Sequence, residues 1–327
     1  MGSKTLLIIG GSGFFGKSIL RYFSVSTQLK KKFGKIIVIS RNGLKNAALK
    51  NELKKNYKLV EININILKLK KLPFADYVIY CAISKNFKED YIAAKKYTNL
   101  AKIYHQKSKI LYTSSGAVYG KYKFDSYKKL SERYLHPNKI NFKKNYKIPY
   151  AYLKLLNEKL FKDLSACSIN VSIARCFTFV GEFLPLNNFY VIGNFIKNIL
   201  NRENIKLLAN YSLYRSYMHT DELVKWILKI LYNSNTKCPI YNLGSDDKIS
   251  LRKLATFLAK KYQLNVCYPK ISSKKIDCYV PNISKTKKEL NLNINYTSIR
   301  AVIKTINFHL KIKKNILNDT FKRNKFN

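Results

Sequence analysis

At 327 residues, 46% of them hydrophobic, the chain is long and apolar enough to bury a full core, as one large domain or two medium ones. Its 62 lysines and arginines against 18 aspartates and glutamates give a net charge of +44, which ordinarily points to nucleic acid or an anionic membrane surface. The lysines are scattered along every segment in company with many Asn and Ile, so compositional bias and attraction to anionic substrates are expected, and dedicated nucleic-acid binding is not.

Thr5-Leu6-Leu7-Ile8-Ile9 is a continuous apolar run that stops at glycines, the pattern of a strand buried on both faces. Phe15 to Phe23 reads as a helix, Lys35 to Ser40 as a second buried strand and Lys58 to Ile62 as a third, with a helix near 43–56 between them. Asp76 to Ala82 is a fourth strand, 87–107 is helical, and Ile110 to Thr113 is a fifth strand. Residues 121–149 are polar, basic and aromatic without periodicity and are expected to form a loop over the site. A helix at 150–166 and a buried strand from Val171 to Phe177 follow. Shorter elements at 189–201, 220–233 and 250–262 read as a smaller mixed lobe, and the basic stretch from Lys311 is expected to fray.

This alternation predicts an α/β fold: a Rossmann-like, doubly wound parallel sheet with a smaller mixed α/β C-terminal lobe for substrate. The expected boundaries are 1–180 for the sheet domain, with a segment at 215–245 returning to it, 181–214 and 246–310 for the lobe, and 311–327 for a basic tail. Cys81, Cys167, Cys176, Cys238, Cys267 and Cys278 form no CxxC pair, and no His stands at metal spacing. Reduced thiols in a cytoplasmic protein, with no metal site, are therefore expected. No apolar run has the length of a membrane span, and no charged-then-apolar leader precedes the first strand, so neither a transmembrane segment nor a secretory signal is expected.

Between the first strand and the first helix lies Gly10-Gly11-Ser12-Gly13-Phe14-Phe15-Gly16. Glycine permits the tight turn and a close approach of backbone to a pyrophosphate, and the helix N-terminus offers N–H groups and partial positive charge. The segment is therefore assigned to the phosphates of a dinucleotide. At the end of the second strand, where NAD-binding versions carry an acid for the ribose, this chain has Ser40-Arg41-Asn42. Arg41 suits a 2′-phosphate, which favours NADP over NAD, unless it is only a solvated surface cation.

Tyr150 and Lys154 are four residues apart on an expected helix and share a face. A free tyrosine, with a pKa of about 10, is a poor base at neutral pH. A neighbouring ammonium and a positive nicotinamide ring stabilise its phenolate, which makes proton exchange with a substrate hydroxyl feasible. Lys154 can also hold the nicotinamide ribose. Ser115, at the end of the fifth strand, is placed to hydrogen-bond the same substrate oxygen.

With these residues in order, the chain resembles the extended short-chain dehydrogenase/reductase family, which comprises sugar-nucleotide epimerases, dehydratases and reductases. The resemblance runs from about residue 4 to 300. It is carried by Thr113-Ser114-Ser115-Gly116-Ala117-Val118-Tyr119-Gly120, by Pro149-Tyr150 through Lys154, by Arg175-Cys176-Phe177, by Arg215-Ser216-Tyr217-Met218-His219 and by Tyr241-Asn242-Leu243-Gly244-Ser245. It implies that Ser115, Tyr150 and Lys154 are the catalytic triad and that Arg215 contacts the diphosphate of a nucleoside-diphosphate sugar. It also implies cofactor contacts at Asn63, Ile64, Cys81 and Ala82, substrate contacts at Gly116, Ala117 and Thr178, and a homodimer formed through the helices at 87–107 and 150–166. His219 is read as structural.

The departures from the family pattern bear on the reaction. Its 4,6-dehydratases carry Asp-Glu where this chain has Gly116-Ala117, so dehydration by that route is not expected. Thr178 stands where many members have Asn, Asn63 replaces an Asp near adenine, and Tyr80-Cys81-Ala82-Ile83 replaces His-Leu-Ala-Ala. The resemblance thus implies a sugar-nucleotide epimerase or an NADPH-consuming 4-ketoreductase, plausible in surface polysaccharide assembly. The alternative kept open is a non-catalytic dinucleotide-binding sensor with nucleic-acid affinity.

Overall fold

A computed structural model describes residues 3–84, 86–120, 128–134, 149–186 and 190–323. The first half consists of β1 (Lys4–Ile9), α1 (Phe14–Val25), α2 (Thr27–Lys32), β2 (Phe33–Ser40), α3 (Ala47–Lys54), β3 (Lys58–Asn63), β4 (Tyr77–Tyr80), α4 (Phe87–Tyr104) and β5 (Lys109–Ser115). Then come α5 (Pro149–Ala166), β6 (Asn170–Cys176), β7 (Phe179–Val180), α6 (Val191–Asn201), β8 (Ile205–Lys206), β9 (Ser212–Arg215), β10 (Met218–His219), α7 (Thr220–Tyr232) and β11 (Ile240–Leu243). The chain ends with β12 (Ile249–Ser250), α8 (Leu251–Tyr262), β13 (Val266–Cys267), β14 (Ile276–Tyr279), α9 (Ser284–Leu290) and α10 (Ser298–Arg323).

Seven strands form one sheet in the order β11-β6-β5-β4-β1-β2-β3, and every pairing in it is parallel. The expected doubly wound sheet is therefore present. Its central strands carry apolar runs, Leu6–Ile9 of β1 and Ile36–Ile39 of β2, because helices cover both faces. Along β1, Leu6 and Ile8 join one core with Ile19, Phe23 and Trp226, whereas Leu7 and Ile9 join another with Tyr97, Tyr112 and Phe161. That division follows from the two-residue period of a strand. The crossover point lies between β1 and β4, where the chain turns outward to both sides, and a ligand crevice is expected at the carboxyl ends there.

A third core, including Phe195, Leu254 and Ile306, fills a smaller C-terminal lobe built on the three-stranded sheet β12-β9-β14 and the pair β13-β8. The C-terminus differs from the sequence reading. From Lys311, where fraying was expected, α10 continues as helix to Arg323. Ile306 and Leu310, packed into the third core, anchor one face of this helix, while Lys311, Lys313 and Lys314 are exposed. The fourth strand is shorter than expected, ending at Tyr80. The loop expected at 121–149 falls mainly on 121–127 and 135–148, outside the described residues. Among the described residues no helix is long and apolar enough to cross a membrane.

Candidate functional site

The glycine turn leaves no space for side chains. Gly10 has φ +95°, in the region that favours glycine, and a Cβ there would lie 2.5 Å from Ala82 N. A Cβ on Gly16 would lie 2.3 Å from Gly11 Cα, so α1 packs directly on the turn that precedes it. Gly13 is the N-cap and has no side chain to cap the helix. The first α1 amides, from Phe14 onward, are left without intrahelical acceptors, as an anion requires.

Ser12, Gly13, Ser40, Arg41, Ile64, Cys81 and Ala82 line one cleft of about 180 Å³. Asn63 is not brought into it; its amide oxygen lies where a Cβ on Gly43 would come within 2.8 Å. Its neighbour Asn65 enters the cleft instead, with Ser84, Glu89 and Asp90. Asn86 caps α4 by accepting from the Lys88 and Glu89 amides at 3.1 and 3.2 Å. The Asn-x-x-Glu spacing signals a helix start, but not that its acid faces a cleft. Asp90 is buried and accepts from Ser84 N at 3.0 Å, while its second oxygen has no partner among the described residues. Burial raises its pKa, opposed mainly by Lys154.

The three residues expected to react share an adjoining pocket of about 220 Å³. Phe14, Phe15, Cys81, Ser115, Tyr150, Lys154 and Thr178 all line it. Lys154 is buried, donates to Thr113 O at 3.2 Å, and places Nζ 5.1 Å from the Tyr112 ring centroid and 5.8 Å from that of Tyr150. Burial works most strongly against its charge, but Tyr112, Asp90 and Cys176 together act the other way and raise its pKa. Burial pushes the Tyr150 phenol up to about 12, opposed by the Ser115 hydroxyl. Burial likewise pushes the Cys81 and Cys176 thiols up to about 12, which makes them poor nucleophiles. All six cysteines are unpaired.

Three expected substrate residues are placed differently. Gly116 and Ala117 start a 3₁₀ turn (Gly116–Tyr119) capped by Ser115 Oγ, which accepts from Ala117 N at 3.2 Å; neither lines the pocket. Arg215, on β9, does not line it either. Its guanidinium donates to both carboxylate oxygens of Asp277, at 2.8 and 3.1 Å. Thr178 lines the pocket, and its hydroxyl donates to Ser216 O. His219 is buried and accepts from Asp221 N at 3.2 Å as the α7 N-cap, a structural role.

Two features escape the sequence reading. Tyr279, on β14, brings its hydroxyl 3.5 Å from Ser115 Oγ and 3.5 Å from Cys176 O. Behind Ser115 runs a buried network. Ser114 Oγ donates to Glu158 Oε1 at 2.6 Å, and Arg175 donates to both Glu158 oxygens at 3.0 and 2.8 Å. Arg175 also reaches the Tyr119 hydroxyl at 3.2 Å, which in turn donates to Asn242 Oδ1 at 2.7 Å. The arrangement ties β5, β6, β11 and α5 together at the floor of the site.

Solved structures share this fold across nearly the whole chain. A dTDP-glucose 4,6-dehydratase from Bacillus anthracis in complex with NAD superposes with a TM-score of 0.77 at 16% identity, covering 95% of this chain and 98% of that one. A UDP-glucose 4-epimerase from Thermotoga maritima with UDP-glucose gives 0.73 at 16% identity, covering 94% and 99%. MoeE5 in complex with UDP-glucuronic acid and NAD gives 0.73 at 17% identity, covering 95% and 99%. No curated protein sequence matches the chain. Residues 6–244 match the NAD dependent epimerase/dehydratase family, and with its glycine turn and seven-stranded parallel sheet the chain belongs to that family.

Proposed function

We propose that the chain is a nicotinamide-dinucleotide-dependent enzyme of nucleoside-diphosphate sugars, acting as a 4-epimerase or a 4-ketoreductase. The observation that supports this best is that Ser115, Tyr150 and Lys154 line one pocket with Phe14 and Phe15, the residues that open the helix after the glycine turn. That turn fits a pyrophosphate because no Cβ fits at Gly10 or Gly16, and the cleft at Ser40, Arg41, Ile64, Cys81 and Ala82 fits an adenosine. The dinucleotide, when bound, supplies the hydride donor or acceptor.

The chain's own residues handle the proton. In reduction, the Tyr150 hydroxyl gives its proton to the carbonyl oxygen of a keto sugar; in oxidation, its phenolate takes the proton of a sugar hydroxyl. Ser115 Oγ holds the same substrate oxygen, and buried Lys154 supplies the positive charge that favours phenolate. Gly116 and Ala117 carry no proton donor, so eliminating water across the sugar lacks the group it needs. The structures holding UDP-glucose and UDP-glucuronic acid support a nucleotide sugar as substrate. Exposed Ile92 on α4 and Tyr152 on α5 support pairing of two copies through these helices.

The test is incubation of the purified protein with reduced or oxidised dinucleotide and a panel of nucleotide sugars, 4-keto-6-deoxy forms included, following dinucleotide absorbance and product chromatography together. Stoichiometric loss of the reduced form with one sugar identifies a reductase. A new isomer without net change in dinucleotide identifies an epimerase. Silence in both channels with both dinucleotides would refute the catalytic reading.

A further inference from the structure

The cleft assigned to adenosine runs against the charge of the molecule. In a chain of net charge +44, Arg41 is the one cation among the described residues lining it, and Glu89 and Asp90 are two carboxylates. Glu89 is pinned. Its Oε2 accepts from Ser84 Oγ at 2.9 Å and its Oε1 from Asn65 Nδ2 at 3.1 Å. These two bonds lower its pKa, with a smaller contribution from Arg41, so it is a carboxylate at neutral pH. Arg41 Nη1 stands 3.9 Å from Glu89 Oε2, which leaves that guanidinium already balanced by an acid. Beside them Ser40 Oγ is buried without a hydrogen-bond partner among the described residues, a neutral group suited to a ribose hydroxyl.

We propose that Glu89 selects NAD over NADP, supplying from α4 the acid that the end of β2 lacks; this rests on the dinucleotide reading above. A 2′-hydroxyl can donate to a carboxylate, which is how such acids recognise NAD. A 2′-phosphate would bring about −1.5 to −2 charges beside a carboxylate that cannot swing away without losing two hydrogen bonds. Arg41, which taken alone favours NADP, serves instead as the counter-ion of Glu89. The rival is the adjoining groove, where Lys17 and Lys45 lie beyond Ser12 and Asn42 and offer a phosphate other cations.

The experiment is titration of the wild-type protein and Glu89→Gln with NADH and with NADPH, read by fluorescence, with a thermal melt of each protein. Glutamine keeps an oxygen for Asn65 and turns its amide N–H to the Ser84 hydroxyl, which can accept, so the network stays satisfied while the charge is removed. The wild type is expected to bind NADH at least about tenfold more tightly than NADPH, and Glu89→Gln to shrink that ratio by about tenfold, chiefly by improving NADPH. Because the ratio is taken within one protein, partial misfolding does not mimic the effect. Equal or tighter NADPH binding by the wild type would overturn the proposal and assign the choice to Lys17 and Lys45. An unchanged ratio in Glu89→Gln would overturn it as well. Binding of neither dinucleotide by the wild type would remove the dinucleotide reading itself, a different and recognisable result.

Discussion

The Tyr279 hydroxyl lies 3.5 Å from Ser115 Oγ, and a Cβ added to Gly116 would come within 2.8 Å of that phenolic oxygen and 2.7 Å of the Phe177 ring. The C-terminal lobe thus fills the space that a side chain at 116 would use. Glycine at 116 and tyrosine at 279 are two halves of one packing arrangement, and the loss of an acid at 116 is built into the shape of the site.

Restoring that acid is therefore expected to fail. Gly116→Asp should overpack the contact with Phe177 and Tyr279 and cost about 1–3 kcal/mol, seen as a lower urea midpoint. It should produce no 4-keto-6-deoxy sugar from a nucleotide hexose. A variant as stable as the parent, or one that eliminates water, would show that the space at 116 is open. Tyr279→Phe should keep the fold, because the ring contact with Phe177 at 4.8 Å remains, and should lower turnover through the hydroxyl next to Ser115.

The Glu158–Arg175 pair supports a prediction about stability. Both side chains are buried, and both Glu158 oxygens are engaged by the guanidinium. Arg175→Met would leave the Glu158 carboxylate in the core without its cation and with only the Ser114 hydroxyl donating to it, while the Tyr119 hydroxyl keeps Asn242. Breaking one side of such a pair costs about 3–5 kcal/mol, so chemical denaturation should show a loss of that order. Arg175→Met combined with Glu158→Leu should recover a large part of it. If the double variant is no more stable than the single one, the penalty comes from lost packing and not from the unpaired charge.

What was legible in the sequence was local. The glycine turn, Ser115 at a strand end and the Tyr150–Lys154 pair each depend on residues a few positions apart, where helix and strand periods dictate geometry. The strands of the large sheet were legible because burial on both faces leaves uninterrupted apolar runs such as Leu6 to Ile9. The rest depends on long-range contact. Tyr279 meets Ser115 across 164 residues of chain, and Arg215 is tied to Asp277 across 62. Neither separation has a period to betray it. Glu89 reads as an ordinary first-turn acid until Arg41, Asn65 and Ser84 are seen around it. The helix that continues beyond Lys311 was hidden by its lysines, since the residues that pack it, Ile306 and Leu310, lie before that point.

If Tyr150 exchanges the proton as proposed, the two directions of the reaction should differ in pH dependence. In the folded protein burial pushes its pKa to about 12, so the phenol is intact at neutral pH and ready to give a proton to a carbonyl. Reduction of a keto sugar should then be flat in single-turnover hydride transfer across about pH 6 to 9. Oxidation needs the phenolate, whose fraction rises about tenfold per pH unit below the pKa, so its rate should climb over the same range until that pKa is reached. A bound nicotinamide cation and Lys154 both favour phenolate and lower the point at which the climb levels off. Lys154→Met should move that point to higher pH and slow oxidation more than reduction. An oxidation rate independent of pH in the wild-type enzyme would mean that a group other than Tyr150 takes the proton. If Lys154→Met slowed both directions equally with no displacement of the pH curve, Lys154 would act through binding or packing and not through its charge on the phenol.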